Sequence, residues 1–384
     1  MRNHLDFINK FLLLIALVLV FIGGLFYLDQ ENSFNSKTNR VVIKTPEKVS
    51  ASVLNSSNLE NLAPKEVPKQ KIPDRASSLH WVKSEKVPWG ARDSHTAYVF
   101  EDKLWITGGL NANNSKIDGS PDYDNAKYYN DIWNTEDGEE WVKVAEHADY
   151  PEIRSASIIE FNGSLFKMAG WVPGTGVTNS IWKSEDGVKW KKVSDSAAWE
   201  AREGQRVVEF EDKLWLIGGV NYEEYKTFND VWSSEDGLNW KKVTLNAPWH
   251  SRWDHDVAVF QDKMWIMGGM NRGGVGYGDL WNSSDGKNWD LVYERAPWGK
   301  RQGHETVVFE NKMWLISGLD AASNQGAGDT WFTSDGYIWE KTADNYSALA
   351  REDIEVKVFN DKMWFIAGMD KNWHWNADVW HSDF

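Results

Sequence analysis

Six arginines return once in each of six stretches of about fifty residues: Arg92, Arg154, Arg202, Arg252, Arg301 and Arg351. A histidine stands three positions after three of them, at His95, His255 and His304, where the others have Ser157, Gln205 and Ile354. Like charges converging on one axis repel unless partnered, and an anionic ligand is one partner that relieves this. Imidazoles at the same place could shuttle protons. Carboxylates offer another solution. Asp93, Glu203, Asp254 and Glu352 lie beside these arginines, and salt bridges between repeats would use the guanidinium equally well. Both readings stay open at this stage.

A second set of residues lies in stretches that differ between repeats: Trp171, Tyr222, Tyr225, Tyr277, Trp373 and Trp375. Variable loops on a repeated scaffold are where specificity can reside. Aromatic faces beside amide groups suit sugar rings, which offer C–H patches and hydroxyls together. The longest stretch, 110–129, holds Asp118, Asp122 and Asp124. Oxygen donors of this kind bind Ca²⁺, but EF-hand spacing is missing and a solvated loop is expected. The candidate ligand-binding set is Arg92, Arg202, Arg252, Arg301, Arg351, His95, His255, His304, Trp171, Tyr225, Tyr277 and Trp373. No catalytic residue, metal or cofactor is assigned.

The elements that position these residues are read from a tryptophan period. Trp133, Trp182, Trp232, Trp281, Trp331 and Trp380 are separated by 49, 50, 49, 50 and 49 positions, a spacing that signals one repeated supersecondary unit. Each unit opens with an apolar run such as Thr96-Ala97-Tyr98-Val99-Phe100, then a tight turn, then a run such as Leu104-Trp105-Ile106-Thr107-Gly108-Gly109. The Asn162-Gly163 turn of the second unit is a strong hairpin signal. After a variable loop comes a third run, then a Ser/Thr-x-Asp-Gly-x-x-Trp turn (Ser234 to Trp240, for example) and a fourth run. Four antiparallel strands in about fifty residues make one propeller blade. The sixth unit ends at Phe384 without a fourth run, and Leu79-His80-Trp81-Val82-Lys83 resembles one. Trp81 is therefore expected to complete blade six and remove two open sheet edges. Trp105, Trp215, Trp265, Trp314 and Trp364, with Phe166 in blade two, are expected in the core between blades. The expected fold is all-β, a closed six-bladed propeller over 79–384.

This pattern resembles the kelch repeat through the Gly-Gly doublets at 108–109, 218–219 and 268–269 and the third-strand Trp. In the other blades the doublet weakens to Ala169-Gly170, Ser317-Gly318 and Ala367-Gly368. For the arginines, the resemblance to kelch adaptors implies a place in a ligand pocket. The Asp-Gly turn looks like the Asp-box of sialidases, where it is a structural turn away from the active site. Galactose oxidase shares the kelch architecture, but its copper cofactor needs a Cys and this chain has none. A sialic acid mutarotase or epimerase of the kelch type remains as an alternative, with Glu203 and Glu352 as acid–base groups.

The amino terminus is different in kind. Residues 11–28 form an unbroken apolar run between Arg2, Lys10 and Asp29, Glu31. At 1.5 Å per residue such a helix spans about 27 Å, near the hydrocarbon thickness. Only Gly23-Gly24 is small there and no Ala-x-Ala-like cleavage site exists, so a retained anchor behind a short head (1–10) is expected, with a cleaved signal peptide as the alternative. Residues 29–78 are polar and punctuated by Pro46, Pro64, Pro68 and Pro73, the composition of a disordered linker. A net charge of −15 without a basic stripe argues against nucleic acid. The expectation is a single-pass, membrane-tethered propeller, exported to the periplasm or exterior. It would bind a glycan, an anionic small molecule or an envelope protein at its channel face, with a purely structural role as a further alternative.

Overall fold

The computed structural model describes residues 75–384 apart from 85–86, 113–115, 117–120, 321–322 and 324. The head, the apolar run 11–28 and nearly all of the linker lie outside them. Among the described residues no helix is long and apolar enough to cross a membrane.

Six four-stranded antiparallel sheets succeed one another along the chain. The first consists of Thr96–Phe100, Lys103–Thr107, Ile132–Thr135 and Trp141–Ala145. The innermost strands of neighbouring blades, such as Arg206–Phe210, Asp256–Phe260 and Glu305–Phe309, pack side by side around a central channel. The sixth blade pairs its last strand, Val379–Asp383, with His80–Lys83 from the other end of the propeller, Trp81 opposite Ser382. The fold is a six-bladed β-propeller closed by its amino-terminal strand.

Local chemistry explains the repeat. All six blades join their first two strands through two residues with positive φ, Glu101-Asp102 and Asn162-Gly163 among them. That is the turn whose twist matches paired strands. Between the third and fourth strands, Asp137 Oδ1 accepts the backbone N–H groups of Glu139 and Glu140, each at 2.8 Å. Thr135 Oγ1 accepts that of Gly138 at 2.9 Å, and the Trp141 indole closes the turn on the Gly138 carbonyl at 3.1 Å. The same bonds recur around Asp186, Asp285 and Asp335. The glycine meets a second demand in this turn. At Gly286 φ is +69°, and an added Cβ would lie 2.0 Å from the Trp215 ring of the preceding blade. The second-strand aromatics Trp105, Phe166, Trp215, Trp265 and Trp364 thus seat the turn of the next blade.

The core is divided into wedges between blades. Trp105, Tyr98 and Phe100 of blade one pack with Leu165 and Trp190 of blade two, and equivalent clusters recur at the other interfaces. A further aromatic precedes each blade from one to five: Trp89, Tyr150, Trp199, Trp249 and Trp298. Each packs edge-on against the turn tryptophan of that blade, Trp298 at 4.5 Å from Trp339 for example. Between blades five and six the described residues hold no glycine turn, and Phe384 closes on Trp314 at 5.9 Å instead.

Trp81 is buried and packs edge-on against Phe365 at 6.1 Å. Trp81→Ala should cost about 3–5 kcal/mol, the usual range for deleting a buried large aromatic, and lower the melting temperature. An unchanged melt would show that blade six does not depend on its borrowed strand.

Candidate functional site

Five of the six arginines are turned into their own blades. The Arg202 guanidinium donates to both oxygens of Asp230, at 2.6 and 2.9 Å, and to the carbonyl of Gly218 at 2.8 Å. Arg92 repeats this with Asp131 and Gly108, Arg252 with Asp279 and Gly268, and Arg351 with Asp378 and Ala367. Arg301 holds Asp329 through one oxygen at 3.1 Å and the Ser317 carbonyl at 2.8 Å. In four of these blades the third-strand tryptophan donates its indole N–H to the same carboxylate, Trp232 to Asp230 at 2.8 Å. All five guanidiniums are buried. Burial raises the affinity of Asp131, Asp279 and Asp378 for protons, but their arginines, joined by Trp133, Trp281 and Lys83 respectively, hold all three below the usual carboxylate range. These arginines link the end of strand two to the start of strand three, and none lines the channel mouth.

Arg154 behaves differently because it is one residue out of register. The second glycine-doublet residue of each blade donates its N–H to the carbonyl of the clamp arginine in the next blade, as Gly219 does to Arg252. At blade two that acceptor is Ile153, bonded by Gly109 at 2.9 Å. The expectation that Arg154 shares the position of the other five is therefore corrected. Ile153 occupies the clamp position, and Ser180 stands two residues before Trp182 where the other blades have Asp. A one-residue offset in extended backbone reverses the side a residue faces. Arg154 consequently lies at the mouth, donating to both oxygens of the buried Glu203 at 3.0 Å.

The histidines sit below. His95, His255 and His304 are buried, and their ring nitrogens have no hydrogen-bond partner among the described residues. An added Cβ on Gly218 would come within 2.6 Å of the His255 ring, which fills the gap left by the glycine. Burial first, and the clamp arginines second, push all three well below the ordinary imidazole range. They pack as neutral rings between blades.

The mouth is built on a ring of left-handed residues, one per blade. Ser94, Ser155, Gly204, Asp254, Gly303 and Asp353 have φ between +49° and +62°. Backbone hydrogen bonds run between neighbours in this ring, Ser155 N–H to Ser94 at 2.8 Å and Gly303 N–H to Asp254 at 3.0 Å. The residue before each ring member lines a pocket of about 450 Å³: Asp93, Arg154, Glu203, Trp253, Gln302 and Glu352. Tyr123, Trp171 and Tyr222 from the loops between strands two and three complete its walls. Arg154 lies 4.9 Å over the Trp171 ring and 5.8 Å from that of Tyr123. Beneath the ring the channel narrows around Arg206 and Lys357, which pair with Asp256, Glu305 and Glu355.

The pocket carries five carboxyl groups, Asp353 and Asp254 of the ring included, and one guanidinium. Burial, then mutual repulsion with Asp353, pushes Glu352 up to about 8. Burial followed by the Asp353 and Glu352 charges pushes Asp93 and Asp254 well upward. In the channel, burial above all pushes Asp256 and Glu355 up to about 7. Strained backbone carrying perturbed carboxyls marks a site candidate on physical grounds.

The remaining expected residues are dispersed. Trp171 lines the mouth pocket. Tyr225 and Trp373 stand at exposed loop tips with φ of +58°, and the Arg272 guanidinium stacks on Tyr225 at 3.5 Å. Tyr277 belongs to a separate surface hollow of about 620 Å³, stacked on His250 at 5.4 Å. Tyr123, Trp253, Gln302 and Asp353 were not singled out from sequence. For Trp253, Gln302 and Asp353 the signal is positional, since the ring residue comes two places after each clamp position; Tyr123 lies in a variable loop and has none. A scan against protein-family models finds no match for this chain, and no curated protein matches it.

The raised carboxyls bind protons more tightly folded than unfolded, so their contribution is fully present below about pH 4 and is lost as pH rises through 7–8. The depressed clamp aspartates act oppositely, losing theirs only in acid, below about 3.8. Melting temperature should therefore peak near pH 4 and fall by several degrees toward pH 8.5, less so for Glu352→Gln. A melt flat from pH 5 to 8.5 would contradict the electrostatics described.

Proposed function

We propose that this chain is a binding module of the kelch type that receives a small, hydroxyl-rich ligand, the end of a glycan, in the channel-mouth pocket. The observation that carries this reading is the contrast between the clamp and the mouth. The clamp repeats in five blades, whereas the six residues beside the ring differ among Asp, Arg, Glu, Trp and Gln. Repetition below and variation above is the pattern of a scaffold carrying a specific site. Trp171, Tyr222, Trp253 and Tyr123 supply flat faces for C–H patches, and the carboxyls and Gln302 supply acceptors for hydroxyls. The volume suits a ligand of monosaccharide size.

An anionic ligand is disfavoured, because the guanidiniums that would have held it are committed to Asp131, Asp230, Asp279, Asp329 and Asp378. We further propose that residues 11–28 tether the propeller to a membrane, which would place the pocket where envelope glycans or proteins are met. Glu352, held partly protonated near neutrality, favours a second reading in which the pocket protonates a sugar oxygen as an isomerase or hydrolase would.

Titrating the full-length chain with a panel of mono- and disaccharides, monitored by indole fluorescence, tests the proposal. At least one sugar should bind saturably, and Trp171→Ala should weaken it at least tenfold with little change in melting. Binding that ignores Trp171, or no binding by any sugar, would overturn it.

A further inference from the structure

The pocket is short of donors and of positive charge, and that imbalance identifies a chemical group. Asp93 is 98% buried and lines the mouth, yet its Oδ1 has no hydrogen-bond partner among the described residues. Gln302 donates to Glu352 at 2.7 Å, but its own Oε1 is likewise unpartnered among them. Gln302 Oε1 is an acceptor, and so is Asp93 Oδ1 when that carboxyl is ionised. Leaving a buried acceptor unmade costs about 1–3 kcal/mol, so a donor arriving with the ligand gains that much advantage over one that brings none.

Charge points the same way. Of the five carboxyls only Glu203 pairs with a cation among the described residues, through the Nε–Nη2 edge of Arg154. The walls are suited to a cation as well. The Arg154 guanidinium already lies over Trp171, and Tyr222 and Trp253, 5.4 Å apart edge-to-face, offer comparable aromatic surface on the same pocket. Such faces attract ammonium and guanidinium groups. Among the described residues no three His, Cys, Asp or Glu side chains group to hold a metal ion.

We propose that the mouth pocket recognises a ligand through a primary ammonium or guanidinium group, an inference that rests on the binding role proposed above. A cation seated between Asp93 and Glu352 would hold both ionised against the burial that otherwise favours their protonated forms. Trp253 Nε1 is a buried donor without an acceptor among the described residues. A hydroxyl carried beside the amine would satisfy it, which makes an amino sugar or amino alcohol the best chemical match.

Glucosamine, glucose and Nα-acetyl-lysine amide, titrated into the full-length chain, separate the sources of that group. Glucosamine should bind at least tenfold more tightly than glucose, and its affinity should fall as salt is raised. The double variant Asp93→Asn, Glu352→Gln should erase the preference while melting cooperatively. Since that variant can fail to fold, the salt dependence of the unaltered chain stands as a readout needing no substitution. Equal binding of glucose and glucosamine, with no salt dependence, would overturn the cation inference and leave the sugar reading standing. Binding of the lysine amide alone would support the cation and overturn the sugar reading. No binding by any of the three would overturn both.

Discussion

The buried pairing of one arginine with one aspartate inside each of five blades is the constraint on which the rest depends. A guanidinium and a carboxylate taken out of water cost several kcal/mol each, and only geometry that satisfies both offsets this. Here the carboxylate accepts from the guanidinium and, in four blades, from an indole, while the guanidinium also donates to a strand-end carbonyl. The same arginine's backbone carbonyl receives an N–H from the blade before it. One residue therefore fixes strand two to strand three within a blade and that blade to its neighbour.

Because the clamp fixes the backbone two residues ahead of the left-handed ring, it also fixes which side chains face the channel mouth. The residue between clamp and ring is held by a backbone bridge in every blade, Asp93 to Leu110 for example, which leaves its side chain free to vary. Blade two shows the consequence of losing the clamp. Ile153 and Ser180 replace both partners together, which avoids an unpaired buried charge. Its arginine, displaced by one position, becomes the cation of the mouth pocket.

Most of the architecture was legible in the sequence. A tryptophan period, six hairpin turns and the fourth-strand likeness around Trp81 depend on local spacing, and those features determine a propeller. The site was less so. Arg154 lies at roughly the same interval as the other arginines, and a one-residue offset is invisible to a fifty-residue period, though Ser180 in place of Asp two residues before Trp182 was a readable sign. The partner of each clamp arginine was sought among adjacent acids such as Asp93 and Glu203, which face the other way. The true partners lie 27 to 39 residues on, across the blade. Burial of His255 and His304 depends on close approach to Gly218 and Gly268 of neighbouring blades, a three-dimensional fact with no sequence marker.

Transferring the blade-two solution into blade four tests the clamp most directly. Arg252→Ile, Asp279→Ser and the double variant would be unfolded in denaturant alongside the unaltered chain. Each single change strands a buried charge or its carbonyl partners and should cost about 3–5 kcal/mol, while the double variant should recover much of that loss. If the two losses simply add, to within about 0.5 kcal/mol, the arginine and aspartate do not act as a unit, and the account of how the mouth is positioned fails.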